Sequence, residues 1–549
     1  RVVVALSGFA EEVRESVTLA LGSRVEVEFR LRLSGTTENV RVVAEAPLVD
    51  TQRTAVATVV SQQQIESLPI DGRNFMSFAV ITPGVSTDRT PQQGASATSG
   101  LTFAGQRARS NNITVDGLNN NDMTLGSVRA TFSQEAVQEF QVLTNSYTAE
   151  FGNATGGVLN IVTKSGTNQL SGNVFGFVRD DAMNAKGHFE KVDPLGQPVN
   201  LEKAPYSQEQ FGATLGGPIR KDRSFFFLSA ERLNIGASNL VTIDDRTVVL
   251  HPFTGAPLGT PAQILRAAGF PVETGNVGYA VRNTQFLAKV DHQVAPGHSL
   301  ALRFNTGDSL NENTEPFGGI TAKSRAAALE ATDYVFAVSD TSVLSSRWVN
   351  ELRFQYAYRD QVVRSLDPAC GGACLRSDQG GPTLEVTGFA SVGRQRFTPQ
   401  TRTNALWQVV DTVSLTTGAH LIKAGIDFSY TDDRTDGPVL PLHFGGRYVF
   451  QQLPAIPGLL PAPVNPIQAV ALGLPAAYVQ GYGVDRDLYS SSNVALFVQD
   501  DWQLGSRVTV KYGVRYQNQF WKDLSYRTAG YPGTFAFPKD GNNFAPRAA

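Results

Sequence analysis

Long stretches in which apolar and polar residues alternate one by one constrain this chain more than any other feature. In HSLALRFNT, Leu300, Leu302 and Phe304 alternate with polar or small residues. The same period of two recurs in three further stretches, residues 350–360, 420–431 and 507–517. A period of two with one apolar face is the pattern of a half-buried β-strand. The chain is therefore predicted to be mainly β.

The connections between the alternating segments indicate which β architecture the chain adopts. The alternation marks about eleven strand candidates, near residues 171–180, 207–217, 223–234, 284–294, 298–306, 332–341, 347–360, 403–415, 419–431, 492–503 and 507–520. Tight turns join several of them, whereas segments 235–283, 361–402 and 432–491 are long and irregular. Short turns at one end and long loops at the other are typical of outer-membrane barrels. A soluble β-sandwich also hides one strand face, but more often has short connections at both ends.

Composition excludes several other classes of protein. The net charge of −3 gives no basic surface for nucleic acid, so no nucleic-acid partner is expected. The most apolar long stretch, residues 453–479, contains six prolines and is predicted to be a proline-stiffened loop rather than a membrane helix. A membrane protein built on helices is thereby excluded, and one built on strands is not.

Motifs that carry catalysis are missing from the sequence. It contains no P-loop, HExxH, GxSxG or CxxC pattern. The six histidines are scattered without metal-ligand spacing. The pairs Asp244-Asp245 and Asp432-Asp433 are interpreted as solvated loop residues rather than calcium ligands. We therefore predict no catalytic residue, no metal site and no cofactor, and a protein that is not an enzyme.

Several segments resemble TonB-dependent outer-membrane transporters. The family's plug domain ends in an apolar strand, a Tyr/Phe-Gly step and a Gly-Gly-x-(Ile/Leu)-Asn-Ile-x-Thr strand, and residues 138–168, QEFQVLTNSYTAEFGNATGGVLNIVTKSGTN, follow that pattern. The stretch FAGQRARSNNITVDGLNNND, residues 103–122, resembles an earlier plug segment, and residues 65–85 resemble the first plug helix. Residues 495–517 resemble a barrel hairpin of the family. Residues 8–31 look like the tail of the carboxypeptidase-regulatory-like sandwich found in the Oar-like subgroup.

The resemblance implies a transmembrane antiparallel β-barrel around an α+β plug domain, preceded by the tail of a β-sandwich. The domains expected are the sandwich tail at 1–34, a linker at 35–52, the plug at 53–166 and barrel strands at 167–549. Within residues 53–166, the sequence itself predicts short helices near residues 61–68 and 133–140. Barrels of this family have about 22 strands, so the chain is expected to hold the N-terminal half of one and to lack both ends of the protein.

The resemblance also implies a function and partners. The family imports scarce or bulky solutes across the Gram-negative outer membrane, and the inner-membrane proton-motive force drives the import through TonB and its energising complex. Outer-membrane lipid and an unidentified solute are therefore the expected partners. The alternative is a surface receptor or adhesin that uses the same scaffold without transport.

Three sets of residues are candidates for function. Residues predicted to contact the barrel wall or a ligand are Gln106, Arg107, Arg109, Asn111 and Asn112. The segment TENVRVVAEAP, residues 37–47, resembles the part that relatives offer to TonB, or is the last strand of the preceding sandwich. Its coupling residues would be Glu38, Val40, Val42, Val43 and Ala44. Cys370 and Cys374 are predicted to form a disulfide in an external loop, the alternatives being a free dithiol or an adventitious metal pair.

Overall fold

The computed structural model describes residues 2–15, 27, 29–33, 42–43, 56–67, 75–87, 100–122, 128–129, 132–191, 202–370, 381–435, 437, 442–483, 490–505, 508–522 and 539–548. At the N-terminus, β1 (Val2–Val4) pairs antiparallel with β2 (Glu12–Glu15), and β3 (Val42–Val43) adds to β2 in parallel. Most of the predicted sandwich tail, including residues 16–26, lies outside the described residues. The assignment of residues 1–34 to that sandwich therefore stays a prediction.

An inner unit, which we call the plug, follows. Its elements are β4 (Val56–Val60), α1 (Gln62–Ser67), β5 (Val85–Thr87), β6 (Leu101–Phe103), β7 (Asn112–Val115), β8 (Leu118–Asn119), β9 (Val137–Asn145) and β10 (Val158–Thr163). The main sheet has the order β4-β9-β10-β7-β8, and β5 pairs with β6. Ser61 caps α1 because its side chain and backbone both bond to Gln64, so the helix expected near residues 61–68 is confirmed.

The rest of the chain forms a large sheet and a set of loop elements. In chain order the elements are β11 (Ser171–Asp180), β12 (Ser207–Arg220), β13 (Ser224–Val241), β14 (Val249–Leu250), β15 (Pro257–Gly259), α2 (Pro261–Ala267), β16 (Gly275–Ala295), β17 (His298–Glu315), β18 (Ala327–Val343), β19 (Trp348–Ser365), β20 (Thr383–Val386), β21 (Ala390–Gly393), β22 (Gln400–Thr417), β23 (His420–Arg434), β24 (Arg447–Phe450), α3 (Pro466–Ala471), β25 (Ala477–Val479), β26 (Ser491–Leu504), β27 (Val508–Trp521) and β28 (Phe544–Ala548). Short 3-10 helices occupy Phe75–Ile81, Ala108–Ser110, Gln134–Ala136, Asp181–Met183, His188–Glu190, Lys323–Arg325 and Pro368–Cys370.

Twelve of the described strands form one antiparallel sheet, which we call the wall. Its order is β11-β12-β13-β16-β17-β18-β19-β22-β23-β26-β27-β28, so each strand pairs with its neighbour along the chain. The side chains alternate as the sequence predicts: on β23, Ile426 and Phe428 are 40% and 39% exposed on the outer face, while Ser429 is 6% exposed on the inner face. The prediction of a mainly β chain with an antiparallel barrel sheet is confirmed.

Connections of two kinds alternate around the wall. Two to four residues join β16 to β17, β18 to β19 and β22 to β23 at one end, which we call the short-turn end. At the opposite end, long segments join β13 to β16, β19 to β22 and β23 to β26. In outer-membrane barrels the short turns face the periplasm and the long loops face outward. Among the described residues, no helix is long and apolar enough to cross a membrane.

The long segments fold more extensively than the sequence predicted. Strands β20, β21, β24 and β25 form a four-stranded sheet, and α2 and α3 pack with it around a separate apolar core. The prediction of a proline-stiffened loop at 453–479 is wrong at α3. Asn465 caps this helix by accepting a hydrogen bond from the Gln468 amide, and Pro466 occupies its first turn, where a proline needs no hydrogen-bond partner.

A second correction concerns the plug. Residues 133–140 were expected to be helical, but a single 3-10 turn, Gln134–Ala136, leads directly into β9. Val137, Phe140 and Val142 on this strand are buried in the plug core, so tertiary packing overrides the local helical tendency. Phe227 and Leu287 of the wall belong to the same core, which joins plug and wall by an apolar contact as well as by polar ones.

Candidate functional site: the plug–wall interface

The main sheet of the plug has one apolar and one polar face. On β7, Ile113 and Val115 are buried in the plug core, whereas Asn112 and Thr114 line a cavity on the opposite face. Strand β10 contributes Asn160 and β9 contributes Gln141 to the same face, together with the apolar residues Val162 and Leu143. A sheet that presents amides and hydroxyls to its surroundings is suited to a hydrated wall rather than to an apolar one.

The cavity lies between this polar face and the wall and has a volume of about 610 Å³. Its lining on the wall comes from strands between β16 and β27 and includes Ala301, Ser339 and Thr509, which lie close to the short-turn end. Cavities of this size are large enough to hold a small solute.

Ion pairs line the cavity. We call the following four contacts the cavity ion pairs: Asp116–Arg303 at 2.6 Å, Glu150–Lys423 at 3.2 Å, Glu351–Arg353 at 2.9 Å and Asp501–Lys511 at 3.0 Å. The first two join the plug to the wall, and the other two lie within the wall. Partly buried pairs of this kind hold their partners in place, yet they re-form readily because each contact is polar.

Asp116 is the most highly connected plug residue in this set. It occupies a two-residue turn with Gly117, and both have positive φ angles, 51° and 79°. Asp-Gly is the preferred sequence for such a hairpin turn. The carboxylate accepts hydrogen bonds from the Thr163 backbone and hydroxyl at 2.9 and 2.8 Å and from Arg303 Nη1. Burial raises the pKa of Asp116, but Lys289 and Arg303 outweigh that effect and hold the pKa below its usual value.

Glu150 forms the second plug–wall anchor. Lys423 Nζ donates to its carboxylate, and Arg515 Nη1 donates to the Glu150 carbonyl at 3.0 Å. Burial raises the pKa of Glu150, but Lys423 and Arg353 lower it by a larger amount, so the pKa lies below its usual value. Arg547 of β28 reaches the same plug segment and donates to the carbonyls of Thr148 and Phe151. Arg515 and Arg547 each donate through Nη1, and together they hold the backbone of this segment against the wall.

A buried arginine–aspartate cluster lies nearer the long-loop end. Asp122 of the plug is fully buried and faces Arg359 Nη1 at 3.6 Å and Arg402 Nη2 at 3.3 Å. Arg359 also pairs with Asp333 at 2.8 Å and donates to the Val128 carbonyl at 3.0 Å. Removing one member would leave a buried charge uncompensated, so this cluster is costly to open.

Amide groups connect the two charged regions. Gln355 of β19 donates to the Asn119 carbonyl at 2.8 Å, and the Asn119 backbone donates to Gln408 of β22 at 3.0 Å. Asn119 therefore ties β8 to two neighbouring wall strands. The asparagine-rich stretch at 103–122 thus supplies turn residues and wall contacts at once.

The structure separates the five predicted contact residues into two groups. The side chains of Gln106, Arg107 and Arg109 are exposed. Asn111 and Asn112 are buried and brace the plug itself, since Asn111 donates to the Leu101 carbonyl and Asn112 to the Gly152 carbonyl, each at 2.7 Å. Asn112 also lines the cavity. Contact of these five residues with a solute stays a prediction.

Two further predictions fall largely outside the described residues. Of the coupling segment, the structure describes Val42 and Val43, whose backbones pair in parallel with Arg14 and Glu15 of β2. The other coupling residues, Glu38, Val40 and Ala44, lie outside the described residues. Cys370 ends a 3-10 turn, and Cys374 also lies outside them, so the disulfide stays a prediction.

Sequence reasoning missed the residues that join plug to wall. Asp116, Asp122 and Glu150 were not among the predicted contact residues. Their partners lie far along the chain: Arg303 is 187 residues from Asp116, and Lys423 is 273 residues from Glu150. One signal was present, namely charged residues on the inward face of alternating strands, which need partners inside the barrel.

Family models match most of the chain. An "Outer membrane beta barrel domain" model matches residues 162–248 and 262–547, and a "TonB-dependent Receptor Plug Domain" model matches residues 50–158. Both regions coincide with the wall and the plug as the structure describes them. The proteins that share these domains are transporters and receptors rather than enzymes.

Individual relatives agree with these matches. The TonB-dependent transporter Oar of Myxococcus xanthus is 24% identical over an alignment of 579 positions, gaps included, that covers 93% of this chain and 52% of that protein. The siderophore receptor PirA from Acinetobacter baumannii has a TM-score of 0.53 at 15% identity, covering 85% of this chain and 57% of its own. The outer membrane transporter YddB from Escherichia coli has a TM-score of 0.52 at 13% identity, covering 85% and 58%. The chain thus spans little more than half the length of these relatives, and the structural likeness concerns the fold.

Proposed function

Because this chain belongs to the TonB-dependent transporters and receptors of the Gram-negative outer membrane, we propose that it imports a scarce or bulky solute through its plugged barrel. The work of opening comes from the inner-membrane proton-motive force, delivered by TonB and its energising complex. The long loops on the outer side capture the solute. The plug then rearranges to let it pass.

The observation that carries this proposal is the nature of the plug–wall contact. The described contacts include the cavity ion pairs, the buried arginine–aspartate cluster and arginine bonds to plug carbonyls. A hydrogen bond to a charged group contributes about 1.5–3 kcal/mol net, which is only part of its full strength because water can hydrate both partners once they separate. A plug held by such contacts can move and return without exposing a large apolar surface. A receptor that never opens has no need of a movable plug.

The N-terminal sheet offers a place for TonB to act. Strand β3 lies at the edge of the order β1-β2-β3, so among the described strands only its β2 side is paired. An extended segment of a partner can add to a free strand edge through main-chain hydrogen bonds. Pulling on β3 would transmit force along residues 44–55 towards β4, the first strand of the plug.

Tethering the plug tests the import mechanism. Cysteines replace Gln355 and Asn119, whose backbone carbonyl accepts a hydrogen bond from the Gln355 side chain, in the intact receptor with Cys370 and Cys374 changed to serine. A short bis-methanethiosulfonate, which forms a disulfide with each cysteine and releases sulfinate, then links plug to wall and can be cleaved with a reductant. We expect solute uptake by cells to stop on linking and to return on cleavage, while solute binding persists. The matched control carries the Asn119→Cys change alone and should import with or without reagent.

The non-transporting alternative makes a different prediction. An adhesin or surface receptor on this scaffold would bind its ligand equally well with and without a proton-motive force, and no ligand would enter the cell. Uptake that survives plug tethering, or binding that never leads to uptake in energised cells, would overturn the import proposal.

Strand addition at β3 has its own test. Val42→Pro removes a backbone donor and fixes φ, so it prevents β pairing at this position without altering the wall. We expect normal membrane insertion and a loss of uptake. A threonine at the same position keeps the β propensity and serves as the control. Wild-type uptake by the proline variant would exclude this segment as the coupling site.

A further inference from the structure

We propose that the cavity between plug and wall selects polar solutes that carry no charged group. This inference rests on the proposed import function and names the class of solute that passes through this part of the protein. It follows from how the charges of the cavity lining are arranged rather than from how many there are.

Every cation in the described cavity lining already has a partner. Arg303, Arg353, Lys423 and Lys511 are in the four cavity ion pairs. The fifth, Lys289, donates to the Thr163 carbonyl and hydroxyl at 3.3 and 3.2 Å and also faces Asp116. An anionic solute would therefore have to break an existing pair to gain a counter-charge.

The carboxylates of the lining are equally satisfied. Four of them are in the cavity ion pairs, and the fifth, Asp427, accepts a hydrogen bond from Gln408 Nε2 at 2.9 Å and faces Arg515 Nη2 at 3.5 Å. A cationic solute thus meets the same obstacle as an anionic one. Carboxylates and cations are present in equal number, so the lining has no net charge.

A lining in which every charge already has a partner favours polar solutes without charge. A net charge entering the cavity loses water and finds no uncompensated opposite charge, so its desolvation is not repaid. Hydroxyl and amide groups lose less, and the amides of Asn112, Gln141 and Asn160 on the plug face can hydrogen-bond to them. The volume of about 610 Å³ sets the size of the group that fits without movement of the plug.

Thiol labelling measures this selectivity directly. In the intact receptor with Cys370 and Cys374 changed to serine, a single cysteine replaces Thr509 in the cavity lining, and a reference cysteine replaces Ser345 in an exposed short turn. The probes are three methanethiosulfonates, one neutral and hydroxyl-bearing, one with a trimethylammonium group and one with a sulfonate. Each rate at Thr509→Cys is divided by the rate of the same reagent at Ser345→Cys.

The expected result is a normalised rate for the neutral reagent about tenfold above that of either charged reagent. Replacing one partner of a cavity ion pair should then favour the reagent whose charge is opposite to that of the remaining partner. Asp501→Asn leaves Lys511 without its carboxylate, so labelling by the sulfonate reagent should rise. Lys511→Gln should favour the ammonium reagent instead.

Two outcomes would overturn the inference. One is a charged reagent that matches the neutral one in the parent, and the other is selectivity that neither substitution changes. Labelling needs neither TonB nor a proton-motive force. Failure of uptake with intact labelling selectivity would therefore refute the proposed import and leave the selectivity standing.

Discussion

Asp116 Oδ2 lies 2.6 Å from Arg303 Nη1 and joins the tip of a plug hairpin to wall strand β17. The aspartate is 18% exposed and the arginine 5%, so the pair is largely shielded from water. The same carboxylate also holds Thr163, the last residue of β10. One side chain thus fixes the turn, the end of the plug sheet and the wall.

Asp116→Asn should loosen the plug. The substitution leaves Arg303 buried without its counter-charge, and removing one member of a buried pair typically costs about 3–5 kcal/mol. We expect faster hydrogen exchange at β7, β8 and β10 while the wall strands keep their protection. Asp116→Asn combined with Arg303→Gln restores neutrality and should recover part of the protection. If the single and double variants exchange alike, the pair does not seat the plug.

Acid should release the plug over a defined range. The pKa values of Asp116 and Glu150 lie below their usual 3.8 and 4.5 in the folded protein. A depressed pKa gives stability that is complete above the usual pKa and is lost as the pH falls through the lower folded value. The resistance of the plug to protease should therefore be constant from neutral pH down to about pH 5 and decline below about pH 4. The Asp116→Asn, Glu150→Gln double variant should show a smaller decline, measured by protease access to the plug.

Gly152 controls the approach of an arginine to the plug. A Cβ at this position would clash with the Arg515 guanidinium, which donates to the Ala149 and Glu150 carbonyls. Gly152→Ala should displace Arg515 and free the segment around residues 147–153. The free energy that holds this segment against the wall should fall by about 1–3 kcal/mol. Gly176→Ala, on a strand with open space around its glycine, is the matched control. Equal protease sensitivity of the two variants would contradict this assignment.

The two faces of β23 and β27 should respond differently to a charge. Ile426 is 40% exposed on the outer face, where an arginine near the bilayer midplane costs about 2–4 kcal/mol. Thr509 lines the cavity rather than the lipid-facing surface, so Thr509→Arg avoids contact with lipid and should be far better tolerated. Folding yield in lipid vesicles, with Ile426→Leu as the control, measures the difference. Equal yields for the two arginine variants would mean that the faces are wrongly assigned.

The cysteine pair has a simple chemical test. A disulfide between Cys370 and Cys374 should block alkylation of both until a reductant is added, and mass spectrometry should then find two modified thiols. Closing so small a ring contributes on the order of 2 kcal/mol. Alkylation of both thiols without reduction would exclude the bond.

The wall was predictable from the sequence because successive side chains of each strand must face lipid and lumen in turn. The alternation at 298–306 therefore survives in β17 unchanged. Strand ends were placed less well: β13 continues to Val241 and β16 begins at Gly275, inside a segment expected to be irregular. Beyond the bilayer a strand no longer needs an apolar face, so the alternating pattern stops before the strand does.

The site resisted prediction for a different reason. The partners of Asp116, Asp122 and Glu150 are chosen by how the plug sits in the wall, which no local pattern encodes. The start of α3 was readable in principle, since Asn465-Pro466 followed by Gln468 is a helix-start signature. It was obscured by the proline content of its surroundings. Gln106, Arg107 and Arg109 drew attention by chemical type, but chemical type alone does not say where a side chain points.

The order of strands in the wall bears on how the protein is made. Because every wall strand pairs with its neighbour along the chain, the sheet can grow hairpin by hairpin, and each new strand needs only a short search to find its partner. The plug sheet has the order β4-β9-β10-β7-β8, and β4 must wait for β9, about 80 residues later, before it can pair. Each step of wall growth is thus fast and local, while the plug must complete a slower, non-local search in the space that the growing wall encloses.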